Sequence, residues 1–147
     1  MTLAVTVDTI IAGLNTGASA TFLQLTIPVA IHNGQTVPVS VDFCLASLEE
    51  PSGTAWKTVW APICFLEGNA PSTIAPGETK TFQWQVAAAI SGPGNPTWGS
   101  PVVNGTYRLS LATAALGTLS SNTFSVNLLT TSTAAALDYS IQRPPRN

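Results

Sequence analysis

The residues able to do chemistry are few and scattered. The single histidine, His32, stands beside Asn33-Gly34 in a stretch that reads as a turn. A nucleophilic triad needs a nucleophile, a base and an orienting acid. His32 is the only usual base, and no Ser or Cys lies in a context that would activate it. Cys44, Cys64 and His32 together would give a metal three ligands, without a fourth and without the paired spacing of zinc sites. The two cysteines can form one disulfide, but reduced, partly buried thiols fit a cytoplasmic product better, and that is the expectation. The carboxylates Asp8, Asp42, Glu49, Glu50, Glu67, Glu78 and Asp138 are spread along the chain. Glu49-Glu50, just before Pro51-Ser52-Gly53, reads as a solvated turn, and nothing around any pair marks a glycosidase-type acid couple. SGPGNPTWGSP at 91–101 lacks the lysine and the strand-to-helix setting of a phosphate loop. These features point away from an enzyme, and no metal or cofactor is expected.

Binding chemistry is better represented. Trp56 and Trp60 flank Lys57 in one short segment, and Trp98 lies in the Gly/Pro-rich loop at 91–101. Aromatics so placed serve either as lids on a core or as partner anchors. The loop setting of Trp98 favours an anchor, over a sugar platform for want of polar neighbours. The other cluster is the ending SIQRPPRN, where Arg143 and Arg146 are two of only five basic residues. Holding such a tail in place costs roughly 1–2 kcal/mol per residue in backbone entropy. Pro144 and Pro145 reduce that cost by restricting the free chain, and the arginines can pair with carboxylates on a neighbour. Tyr139, Ile141, Arg143, Pro144, Pro145 and Arg146, with Trp98, are therefore the expected partner-binding residues.

The elements that must position these residues are strands. In TFLQLTIPVAI, Leu23, Leu25, Ile27, Val29 and Ile31 alternate with polar residues, and VPVSVDFCL repeats the pattern from Val37 to Leu45. A period of two is that of a half-buried strand. The intervening His32-Asn33-Gly34-Gln35 carries the Asn-Gly signal of a tight hairpin, and Pro28 and Pro38 on the outward face suggest a sheet edge. TAWKTVW, PICFLEG, TFQWQVAAAI (after a Pro76-Gly77 turn), TYRLSLATA and NTFSVNLL read as further strands. STAAALDYS could form one helical turn at most. Seven or so short strands separated by turns predict an all-β fold, an antiparallel β-sandwich or barrel. In domain terms, 1–20 reads as an N-terminal strand, or arm, and linker, 21–129 as the sandwich, and 130–147 as a C-terminal arm.

Composition narrows the function further. Of 147 residues, 45% are hydrophobic and only 8% charged, against roughly 25% charged in a typical soluble domain. A surface this poor in charge suggests either one that is covered in use or a secreted or unusual-habitat protein whose hydroxyl-rich surface suffices. Net charge is −2, with no Lys/Arg cluster before the tail, which excludes the basic footprint of nucleic-acid binding. No apolar run approaches the roughly 20 residues of a membrane span. MTLAVTVDTI lacks the basic start and apolar block of a signal peptide, so synthesis and assembly in the cytoplasm are expected.

The stretch APGETKTFQWQ, a long loop and then VVNGTYRLSLA resembles immunoglobulin-like and fibronectin-type sandwiches, and more narrowly the BsuPI-like proteinase-inhibitor group. Pro76, Gly77, Phe82, Trp84, Gly105, Thr106 and Tyr107 carry the likeness, over roughly a third of the chain. It implies an Ig-like fold, with Trp84 in the core and Tyr107 as a tyrosine corner. Asn104-Gly105-Thr106 also matches a glycosylation sequon, although a turn explains Asn-Gly better. In architecture and composition the chain is similar to small β-domain decoration or capsid-stabilising proteins of tailed bacteriophages. That likeness implies a non-enzymatic virion subunit, trimeric, clasping a capsid protein and its own neighbours through its arms. The alternatives are a monomeric Ig-like or BsuPI-like binding module, such as a proteinase inhibitor, and an extracellular filament subunit whose N-terminal strand Leu3–Ile11 completes the next subunit's sheet.

Overall fold

A computed structural model describes residues 1–17, 19–64, 71–91 and 94–129. The fold is all-β. Its strands are β1 (Thr2–Val5), β2 (Thr9–Thr16), β3 (Thr21–His32), β4 (Val39–Val41), β5 (Ala46–Ser52), β6 (Ala55–Trp60), β7 (Ser72–Ile74), β8 (Thr79–Ser91), β9 (Gly105–Thr113), β10 (Gly117–Ser120) and β11 (Phe124–Leu128). The period-two pattern translates directly into burial. Leu23, Leu25, Ile27, Val29 and Ile31 of β3 are all buried, and so are Trp84, Val86 and Ala88 of β8. Each such Leu, Ile or Val contributes roughly 1.5–3 kcal/mol of transfer free energy, which opposes the entropy of ordering the chain.

β3 is the hub of a mixed sheet. β8 runs antiparallel along one side of it, from Phe22 opposite Ala89 to His32 opposite Thr79. The other side is shared: β2 pairs with Thr21–Gln24, and β1 with Val29–His32. Between them, Leu25–Pro28 have no ladder partner on that side. There Thr6 N donates to Pro28 O at 3.1 Å. In an antiparallel ladder this position would return a hydrogen bond from residue 28, and proline has no N–H to give. β3 is thus an interior strand, not the edge that its prolines suggested, because Pro28 falls where β2 has left and β1 ends.

β2 changes partners midway. Gly13–Thr16 pair antiparallel with β3, whereas Thr9–Ala12 run parallel to β11. From β11 the sheet continues through β9 and β5 to β6. The switch brings two arms of the sheet over one core, in which Leu23, Ile27 and Trp84 share a cluster with Leu48, Tyr107, Leu109 and Val126. The arms touch at Trp60 and Trp84, whose rings lie 5.3 Å apart edge to face. Trp60 Nε1 also donates to Ala87 O across the same junction.

Several expectations are corrected. The Asn-Gly hairpin does not form: β4 pairs with β7, not with β3. A two-residue type I′ turn needs positive φ at both central residues, and neither Asn33 nor Gly34 has one. Asn33 instead turns inward, fully buried, and its amide donates to Val37 O and Ile74 O while its Oδ1 accepts from Gln35 N. Only Val39–Val41 of the expected second strand is extended. Asp42 then accepts from Cys44 N and caps a short 3-10 turn at Phe43–Leu45. Glu49 and Glu50 lie within β5, not in a turn. Pro62–Cys64 form no strand, and 65–70 lie outside the described residues. The N-terminal arm is built into its own sheet, with Leu3, Val5, Ile10 and Ala12 buried. Cys44 and Cys64 are joined in a disulfide, not reduced, with their Cα atoms 6.0 Å apart, within bonding reach.

Candidate functional site

Two surface features stand out, and both depend on pairings between distant segments. The first is on the outer face of β5, β6 and β9. Register places Glu49 opposite Arg108 and opposite Thr58, with Pro51 opposite Trp56. Side chains of alternate residues share a face, so Glu49, Trp56 and Arg108 meet there. Arg108 Nε donates to Glu49 Oε1 at 2.7 Å, and its guanidinium carbon lies 4.4 Å from the centre of the Trp56 ring. Stacked and paired, the arginine is held as a flat, preorganised fork. Glu49 and Arg108 share this face, while Glu50 and Lys57, one residue along, pair on the opposite one.

The second feature is a groove of about 730 Å³ where β2 parts from β3. Its lining includes Val7, Ile11, Thr26, Pro28, Gln83 and Gln85. Ile11 is 53% exposed and Val7 37%, because β2 there pairs with β11 and leaves β3. Pro28 O points toward Thr6, and direction alternates along a strand, so Thr26 turns its N–H and C=O toward the same gap. Thr26 Oγ1 also donates to Gln85 Oε1 at 2.9 Å, which orients that amide.

The residues singled out in the sequence disperse. Trp98 is not an exposed anchor: it is 8% exposed, stacked edge-on to Tyr107, and its Nε1 donates to Val102 O. The loop is tied to β6, because Gly99 N donates to Val59 O. Trp60 and Trp84 are core, and Trp56 alone of the four reaches the surface as a half-buried ring. His32 Nδ1 lies 2.9 Å from Thr79 Oγ1 at the end of the β3–β8 ladder. Tyr139, Ile141, Arg143, Pro144, Pro145 and Arg146 lie outside the described residues.

Tyr107 opens β9, and its hydroxyl donates to Val103 O at 2.6 Å. Burial, with the Glu50 carboxylate adding to it, pushes this hydroxyl up to about 12, against some opposition from Trp98. Among the described residues no group of three His, Cys, Asp or Glu could hold a metal ion, and no helix is long and apolar enough to cross a membrane. Arg108 and Ile11 were not singled out in the sequence, and Glu49 was read only as a turn residue. Arg108 and Glu49 are 59 residues apart, and only the β5–β9 register connects them. No protein-family model and no curated protein matches the chain.

Proposed function

We propose that this protein is a non-enzymatic structural subunit, a decoration or capsid-stabilising component of a virion, that associates with itself and with a capsid protein. Its scaffold is an Ig-like sandwich. The supporting features are the parallel β2–β11 pair, the β9 neighbours β11 and β5, and the Tyr107 hydroxyl turned back onto Val103. These features support that scaffold, in which a tyrosine hydroxyl bonds back to the backbone a few residues upstream. The observation that carries the function is the open groove beside Leu25–Pro28. There a charge-poor surface exposes Ile11 and Val7 next to backbone groups without a ladder partner. Such a gap is closed most readily by a partner chain. The disulfide is compatible with this setting, because disulfides persist on virion surfaces as in other oxidising environments.

Light scattering coupled to gel filtration tests the proposal. A stable oligomer, a trimer on this reading, is the expected result, and a strict monomer at all concentrations would overturn it. Deleting Leu137–Asn147 should leave the melting temperature nearly unchanged and weaken assembly. The Trp56–Arg108–Glu49 platform favours a second reading, a monomeric Ig-like or BsuPI-like binding module. That reading requires a monomer whose partner binding is lost on Trp56→Ala.

A further inference from the structure

The Trp56 ring is half covered. Arg108 stacks on one side of it at 4.4 Å, reaching outward from β9 across β5. β6 ends the strand order, with no strand beyond it among the described residues. The half-buried indole thus stands on a strand with no further strand paired beyond it among the described residues. Glu49 uses Oε1 for Arg108 and keeps Oε2 on the same face as the indole. An aromatic ring with a carboxylate oxygen beside it fits a proline-rich segment flanked by arginines. Proline rings stack on indole, a proline-rich stretch is preformed and has few backbone donors to satisfy, and an arginine pairs with the carboxylate.

The chain itself contains that ligand. Residues 130–147 hold Arg143-Pro144-Pro145-Arg146. The described residues carry three basic side chains (Lys57, Lys80, Arg108) and five acidic ones (Asp8, Asp42, Glu49, Glu50, Glu78), a net of −2. Residues 130–147 carry two arginines against Asp138, a net of +1. We infer that Arg143–Arg146 of one copy docks on the Trp56 face of another, with a proline on the indole and an arginine on Glu49 Oε2. This rests on the assembly reading above and names its acceptor site.

Reach permits it. Leu129 N is tied to Ala12 O, which marks where the chain leaves β11. Crossing from β11 to β6 takes three strand spacings, about 14 Å. The 14 residues from Leu129 to Arg143 span up to roughly 46–50 Å when extended, enough to cross to a neighbouring copy.

The test uses the full chain and sedimentation velocity, with thermal melts to confirm that each variant folds. Trp56→Ala and Arg143→Glu/Arg146→Glu should each weaken self-association by about tenfold or more. Trp56→Phe should recover part of the loss. Glu49→Arg combined with Arg146→Glu should associate more tightly than either change alone, as an exchanged ion pair requires. If the wild type assembles and these variants assemble equally well, the docking site is wrong while the assembly reading stands. If the wild type is a monomer throughout, both the assembly reading and the contact between copies fall.

Discussion

Asn33 offers a direct test of how this fold closes its core. It is fully buried at the end of β3, and all its polar groups are used. Its backbone N–H donates to Glu78 O and its carbonyl accepts from Gly77 N. Its side-chain amide makes three further bonds of 2.8–2.9 Å, to Val37 O, Ile74 O and Gln35 N. Each such bond contributes about 1 kcal/mol net, so Asn33→Ala should lose about 3 kcal/mol. For a chain of this size that corresponds to a fall in melting temperature of roughly 6–12 °C. Asn33→Asp keeps the shape but turns an acceptor toward two carbonyls, and at pH 7 it should lose at least as much as alanine. A carboxyl in that position has its folded pKa raised above the unfolded value of about 3.9. The unfolded state then ionises first, so the aspartate penalty is smallest below pH about 4 and grows as pH rises toward 7. The alanine penalty should be flat over the same range. Urea denaturation at several pH values measures both. An alanine variant within about 0.5 kcal/mol of wild type, or an aspartate variant as stable as wild type at pH 7, would refute the role of Asn33 as the buried tie.

Three other outcomes are expected. Replacing both Cys44 and Cys64 by serine should lower stability by about 3 kcal/mol, from the entropy of opening a loop closed over 20 residues; wild type treated with a dithiol reductant should melt at the temperature of that variant, and no shift on reduction would contradict the bond. Tyr107→Phe should cost roughly 1 kcal/mol at neutral pH through the lost bond to Val103. Because the folded state holds the tyrosine proton up to about 12, against an ordinary 10.0, the stabilisation is complete below pH 10 and fades as pH rises toward 12. The wild-type advantage over phenylalanine should narrow across that window in guanidinium melts. Gly99→Ala puts a Cβ 3.1 Å from the backbone oxygen of Val59, which cannot swing aside. A loss of about 1–2 kcal/mol is expected, and a neutral substitution in a urea titration would show that the loop does not lie as close to β6 as described.

Local pattern was a good guide wherever one face of a strand meets the core. The alternation from Leu23 to Ile31 and from Phe82 to Val86 located β3 and β8, and Pro76-Gly77 located the turn between β7 and β8. There Glu78 N donates to Ala75 O and Gly77 takes φ +77°, as a proline-then-glycine turn requires. Local pattern misled at Asn33-Gly34 and at Glu49-Glu50. Both have turn chemistry, but a buried amide tie and a cross-strand arginine decided their conformations. The candidate surface was hardly legible at all. Trp98, in a loop of glycine and proline, looked exposed, and Trp56, in a strand, looked no more exposed than Trp60.

The sequence alone determined the class: all-β, charge-poor, with strand faces set by a period of two, because apolar alternation can be satisfied only on a pleated surface with one side buried. It also set the chemistry available, a few carboxylates and arginines with one histidine. Tertiary structure decided who meets whom. The change of partner within β2, the joining of Cys44 to Cys64, and the meeting of Glu49, Trp56 and Arg108 each depend on registers between segments tens of residues apart. Those registers follow from how the whole core closes, around Asn33 and the Trp60–Trp84 contact, and no local stretch of the chain encodes them.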